Sequence, residues 1–336
     1  MVIPMNKTPI IVPIMLILLF TCASSIRNNV LHDEVSYWED IVKKSPDKPR
    51  GYNSLGLAYA NKDMLDKAFE HYDKAFSIYT KRRGPREGLY NVYVNRGVVY
   101  VKKKSYEKAI DEYNMAIALL PNAAVAYNNR GVVYISQKKP EKALQDFTKA
   151  LILNPGYVDA YQSRGYFYLS AGHYDDAIRD LTSAIRLKPD DPYLYGIRGS
   201  AYEKKGDHIR AIDDLTRAIS AYPMTASHYF YRGLAYDGAG QYPSAIRDHT
   251  MAISLGSKNA QTYVSRGVTY GKQGLYDNAL NDFNQAIMLE PGSADSYFNR
   301  GYLFRLTGKR DAARADFKKA CSLGDRTACE VLRKGL

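Results

Sequence analysis

Arg96, Arg130, Arg164, Arg198, Arg232, Arg266 and Arg300 stand 34 residues apart, and an acid follows each of them sixteen residues later. The acids are Glu112, Asp146, Asp180, Asp214, Asp248, Asp282 and Asp316. A guanidinium is a planar fork of donors that a carboxylate can accept in two parallel bonds. The co-occurrence suggests a structural pair in each repeated unit, in which the acid offsets the cost of desolvating the arginine. A row of arginines that captures an anionic ligand is the alternative. The first copy of the pattern has neither partner: Leu55 and His71 occupy the two places.

Other reactive residues form no constellation. The six histidines, His32, His71, His173, His208, His228 and His249, include no i, i+4 pair, so a metal site has no local support. His249 occupies a place where the sister copies have Tyr, Phe or Leu, and a packed, hydrogen-bonded histidine is expected there. The stretch "DGAGQY" reads as a turn between helices and lacks the rest of a phosphate loop, and no Gly-x-Ser-x-Gly occurs. The expectation is a protein that is not an enzyme and uses no cofactor and no metal.

The elements that position the arginines are repeats. "YNNRGVVY" at Tyr127–Tyr134 has close copies whose glycines are Gly97, Gly131, Gly165, Gly199, Gly233, Gly267 and Gly301, each 34 residues after the last. An earlier copy at Gly56 lies 41 residues upstream, with the spare residues around "KRRGPREG". A fixed period of this length indicates a solenoid. With the glycine as the eighth place of a unit, the fourth is tyrosine in all eight copies, from Tyr52 to Tyr297. The eleventh is tyrosine in seven and Phe304 in the last, and the twentieth and twenty-seventh are alanine throughout. Places four, eight and eleven share one face of a first helix, and twenty, twenty-four and twenty-seven share one face of a second. Glycine and alanine let the two backbones approach, and the aromatics fill the space beside them. Proline at place thirty-two (Pro121, Pro155, Pro189, Pro223, Pro291) stops the second helix.

This pattern resembles the tetratricopeptide repeat from Pro49 to about Thr327. The resemblance implies an all-α fold, a right-handed superhelical solenoid of antiparallel helix pairs. The eight units are 49–82, 90–123, 124–157, 158–191, 192–225, 226–259, 260–293 and 294–327. Residues 30–48, with Trp38, Ile41 and Pro46 in phase, read as a capping second helix, and 328–336 as a closing helix.

Family geometry places the first-helix positions two, five, nine and twelve on the concave surface. Val94, Val98 and Val101 stand there in the second unit, Val132 and Ile135 in the third, and Tyr166 and Leu169 in the fourth. Phe230 and Leu234, Val264 and Val268, and Phe298 and Tyr302 follow in units six to eight. These residues are apolar, and place nine never holds the asparagine used by relatives that clamp a terminal carboxylate. A protein or peptide segment bound by an apolar groove is therefore the expected partner. A second reading uses the net charge of +12. Lys102, Lys103, Lys104, Lys138, Lys139, Lys204 and Lys205 fall in turns that share one edge of a solenoid and could make the protein an electrostatic adaptor for a membrane surface or, less expected, nucleic acid. Nucleic acid is not the expected partner, because the tyrosines are spent on packing.

The ends add a compartment. "PIIVPIMLILLF" followed by "TCASS" suits an export signal over 1–22, with 23–29 as a tether. "LLFTC" also resembles a lipoprotein signal, in which Cys22 would carry the lipid, although Phe20 and Thr21 are larger than the usual residues there. An uncleaved anchor is the plain alternative. The expected setting is a bacterial cell envelope, where some lipoproteins of this repeat type assist secretion or pilus assembly. Cys321 and Cys329 resemble in spacing the cysteines of secreted, cysteine-rich helical-repeat proteins, which implies a disulfide; two buried thiols are the alternative.

Overall fold

The computed structural model describes residues 34–335, so the signal, the tether and Cys22 lie outside the described residues. The described chain divides between Pro155 and Gly156 into two compact units. The first contains α1 (Glu34–Lys44), α2 (Pro49–Asn61), α3 (Leu65–Lys81), α4 (Arg86–Lys102), α5 (Tyr106–Leu119), α6 (Ala124–Ser136) and α7 (Pro140–Leu153). The second contains α8 (Val158–Ser170), α9 (Tyr174–Leu187), α10 (Pro192–Lys205), α11 (His208–Ala221), α12 (Ala226–Gly238), α13 (Tyr242–Ser254), α14 (Ala260–Lys272), α15 (Tyr276–Leu289), α16 (Ala294–Leu306), α17 (Arg310–Ser322) and α18 (Arg326–Lys334). No strand occurs among the described residues. In each unit, consecutive helices pack as hairpins, and each hairpin packs on the next.

The packing residues are those of the repeat. The alanines of places twenty and twenty-seven are fully buried in all eight repeats, from Ala68 and Ala75 to Ala313 and Ala320. Opposite them the glycine admits a large ring. A Cβ on Gly131 would lie 2.7 Å from Phe147 Cε1, and one on Gly97 would lie 2.5 Å from Tyr113 Cε1. Each second helix followed by proline ends two residues before it, as at Leu119 before Pro121. The intervening Leu120, at φ −131°, ψ 81°, has left the helical region, which a following proline disfavours.

The seven extra residues lengthen helices. Helices α3 and α4 have 17 residues each, and Tyr79 lies over Gly84 and Gly88 at their junction. Inside every hairpin, place fifteen is left-handed: Asp63, Lys104 and Lys138 have φ of 59°, 57° and 58°, and the other five repeats have glycine there, from Gly172 to Gly308. At the carboxyl-terminal end, Asp325 Oδ1 accepts the Ala328 amide at 2.8 Å, so α18 starts at Arg326, two residues before the expected boundary. At the other end, α1 packs on α2 through Trp38 and Val42, as a capping helix should.

Candidate partner-binding face

The arginine row is internal to the repeats. Arg164 Nε and Nη2 donate to Asp180 Oδ2 and Oδ1 at 2.7 and 2.9 Å. The same two-armed pair joins Arg130 to Asp146, Arg198 to Asp214, Arg232 to Asp248, Arg266 to Asp282 and Arg300 to Asp316. Each acid is buried, and its hydrogen bond raises the pKa of the arginine further. The exception is Glu112, whose longer side chain meets Arg96 through a single contact of 2.9 Å. Its Oε2 and the Arg96 Nε are buried without partners. Burial pushes the Glu112 carboxyl up to about 7, against the opposing pull of Arg96.

The sequence reading missed two features of these arginines. The tyrosines of places four and eleven flank the guanidinium: Arg232 lies 5.6 Å from the ring centroids of both Tyr229 and Tyr236. The third arginine nitrogen reaches back to place twenty-five of the preceding repeat. Arg130 Nη1 donates to Asn114 Oδ1 at 2.6 Å, Arg266 to Thr250 Oγ1 at 2.9 Å and Arg300 to Asn284 Oδ1 at 2.7 Å. A sequence signal existed: place twenty-five is Asp, Asn or Thr in repeats one to seven, and it becomes Lys318 in the eighth, where Lys334 rather than arginine stands 34 residues after Arg300.

The lysine edge is largely paired with acids of the preceding repeat. Lys103 reaches Asp66, Lys102 lies 3.6 Å from Asp63, Lys205 reaches Asp175 and Lys139 lies 4.0 Å from Glu107. Lys102 also donates to the Ala60 carbonyl at 2.6 Å. Lys204 lies over the Tyr231 ring, and Lys104 and Lys138 occupy left-handed turn positions.

The first helices lie side by side within each unit, so their outward places form one face. In the first unit Val98 and Val132 are exposed, Val101 and Ile135 are half-buried, and Val94 is packed in the core with Tyr90 and Tyr113. In the second unit Tyr166 and Tyr302 are exposed, Leu169, Phe230, Leu234, Val268 and Phe298 are half-buried, and Val264 is buried.

Three hollows open on this face of the second unit. One of about 520 Å³ is lined by Tyr166 and Leu169 of α8, Ser200 and Lys204 of α10, and Tyr231 of α12. Another of about 390 Å³ lies between α14 and α16, with Val268, Tyr302, Leu303 and Leu306 in its wall; Gly271 leaves open space there. The third, of about 280 Å³, shares Val268 and Asn299 with it and adds Leu234, Val264, Asp237, Asp295 and His249. His249 is fully buried, but the expected hydrogen bond is absent: neither ring nitrogen has a partner. The helix hairpin surrounds the ring with Phe230 and the Gly233 backbone, which supply no polar atom from the side chain. Burial lowers its pKa to about 4, so the ring is neutral at pH 7. Asp237 accepts from Thr269 Oγ1 at 2.9 Å and from Lys272.

No group of three or more His, Cys, Asp or Glu able to hold a metal occurs among the described residues. No described helix is long and apolar enough to cross a membrane. Cys321 and Cys329 are joined as a disulfide, with their Cα atoms 4.9 Å apart.

Models of the tetratricopeptide repeat match residues 48–122, 124–157, 147–179, 198–250, 260–293 and 294–323, and a TPR repeat model matches 165–206. Comparison with curated proteins gives no significant match. A tetratricopeptide repeat protein from Parabacteroides merdae is similar at 20% identity and a TM-score of 0.58, over 73% of this chain and 97% of its own. Pseudomonas aeruginosa pilF is similar at 19% identity and a TM-score of 0.56, over 63% and 96%. A chain of the APC/C hetero-tetramer Cut9–Hcn1 is similar at 15% identity and a TM-score of 0.56, over 88% of this chain and 80% of its own. At these identities the likeness is one of fold.

Proposed function

Because the chain belongs to the tetratricopeptide-repeat family, whose members are generally non-enzymatic protein-binding scaffolds, we propose that it is a scaffold that binds an apolar partner segment on its first-helix face. The observation that carries this reading is the run of three hollows in the second unit, to which Tyr166, Leu169, Leu234, Val264, Val268 and Tyr302 contribute. A helix that needed only to pack its hairpin could carry polar residues at these places, and clustered apolar surface marks an interaction site. The lysine edge is a weaker candidate, since its cations are largely matched by acids of the neighbouring repeat. An exported, cell-envelope setting accords with the apolar amino-terminal run and with a disulfide, a bond that persists in oxidising compartments.

The test is to capture the partner from the envelope fraction, purify it, and titrate it against the wild type and against Leu234→Ser/Val268→Ser/Tyr302→Ser. The triple variant should keep its helical circular dichroism and lose at least about tenfold in affinity, or about 1.4 kcal/mol. Unchanged affinity, with loss on neutralising Lys102, Lys103 and Lys139, would move the function to the lysine edge.

A further inference from the structure

Place twelve of the first helices changes character along the second unit: Leu169, Glu203 and Asp237 are followed by Gly271 and Arg305. A Cβ on Gly271 would meet open space, and its backbone is not left-handed, so neither packing nor conformation requires glycine there. The missing side chain leaves the hollow of about 390 Å³ between α14 and α16. Its walls are Val268, Leu303 and Leu306 with the rings of Phe283 and Tyr302, and the charge of Lys272 is already taken by Asp237. A volume this near the lower end of ligand sites suits one large side chain. Rings on two walls favour an aromatic one, because aromatic pairs gain from edge and offset contacts beyond the area they bury.

The charge at the rim is an independent observation. Arg305 stands one helical turn beyond Tyr302, is exposed, and lies 4.9 Å from the Tyr302 ring centroid. Lys309 and Arg310 follow in the same hairpin and are exposed as well. Among the described residues none of these three forms a salt bridge, whereas Lys102, Lys103, Lys139, Lys205 and Lys272 each reach an acid. Asp311 is the one acid in residues 305–315. Asp295 sits at the other end of α16, about 15 Å away along the helix, where its Oδ1 accepts from Asn299. The potential at the Arg305 end of the hollow is therefore positive.

We propose that this hollow seats one aromatic side chain of an acidic partner segment, and that Arg305 binds a carboxylate one or two residues further along the same segment. The inference rests on the reading of the first-helix face as partner-binding and names the residues that it selects. A guanidinium can hold that carboxylate in two parallel bonds, and Lys309 and Arg310 steer further acids to the same end. A basic segment is repelled there.

The experiment titrates the full chain, with labelled Leu and Val methyls, with acetylated and amidated Ser-Phe-Glu-Glu, Ser-Phe-Gln-Gln, Ser-Phe-Lys-Lys and Ser-Ala-Glu-Glu. Ser-Phe-Glu-Glu should shift Val268, Leu303 and Leu306 with a dissociation constant at least about tenfold below that of Ser-Phe-Gln-Gln. Ser-Phe-Lys-Lys should bind more weakly still, and Ser-Ala-Glu-Glu should leave Val268 and Leu303 unshifted. Arg305→Gln should reduce Ser-Phe-Glu-Glu to the affinity of Ser-Phe-Gln-Gln. Gly271→Leu, whose side chain enters open space, should abolish the Val268 and Leu303 shifts, and both variants should keep the wild-type melting temperature. Equal affinity for the Glu-Glu and Gln-Gln peptides would overturn the acidic selection and leave the apolar face standing. A Glu-Glu preference that survives Arg305→Gln would overturn the role of Arg305, and equal shifts from the Ala and Phe peptides would overturn the aromatic seat. Broadening of the same methyls with protein concentration alone would give the hollow to a second copy of the chain. No shift with any peptide would overturn both readings, and co-sedimentation with phosphatidylglycerol vesicles that Arg305→Gln abolishes would then assign the cations to a membrane surface.

Discussion

Arg198 is bonded to Thr182 of the preceding repeat, Nη1 to Oγ1 at 3.1 Å, while its other two nitrogens hold Asp214 of its own repeat. One side chain thus ties a hairpin together and fastens it to its neighbour. Arg198→Ala should cost about 3 kcal/mol, because buried Asp214 is left uncompensated. Thr182→Val should cost about 1.5 kcal/mol, the value of a hydrogen bond to a charged donor. In chemical denaturation the loss from Thr182→Val should vanish in the Arg198→Ala background. Additive losses would show that the two residues are not coupled.

Glu112 is the one acid in the series that reaches its arginine with one arm. Glu112→Asp should restore the two-armed geometry of the sister repeats and stabilise the protein by about 1 kcal/mol. The pH dependence should change as well. A carboxyl raised from 4.5 to about 7 in the fold holds its proton more tightly when folded, so stability falls as pH rises through that window. Thermal unfolding between pH 4.5 and 7 should show this decline in the wild type and a flatter profile in Glu112→Asp.

Lys138 pays a steric penalty at φ 58° that Gly206 and its equivalents avoid. Lys138→Gly should therefore stabilise by about 1 kcal/mol, and Gly206→Ala should destabilise by a similar amount. Opposite shifts in the unfolding midpoint check both. A loss of stability in Lys138→Gly would show that the lysine contributes more through its charge than it costs in backbone strain.

The Cys321–Cys329 bond closes α18 onto α17. In the chain-entropy view a loop this short contributes about 2 to 3 kcal/mol. Cys329→Ser should lower amide protection in α18 and the end of α17 and leave α10 to α14 nearly unchanged, because stability in stacked repeats is largely a nearest-neighbour quantity. Thiol titration of unreduced protein from its native compartment should find no reactive thiol at either position.

What could be read from the residues alone is what repeats with the chain. The 34-residue period, the helix pairs, the buried alanines, the ring over the glycine and the pairing of Arg164 with Asp180 all concern positions within one hairpin. Helical periodicity fixes which of those side chains share a face. The partners between hairpins were not legible in the same way. Arg198 with Thr182, Lys205 with Asp175 and Lys272 with Asp237 join residues 16, 30 and 35 apart in neighbouring repeats. Their contact depends on how far each hairpin turns on the last, and no local spacing encodes that rotation. The same rotation turned an expected basic stripe into a largely paired edge. His249, expected to be a satisfied core histidine, has no hydrogen bond because its own hairpin surrounds the ring with Phe230 and the Gly233 backbone; only the hollow formed by α12, α14 and α16 depends on neighbouring repeats. A cavity is the space that three helices fail to fill, so it exists only once all three are in place.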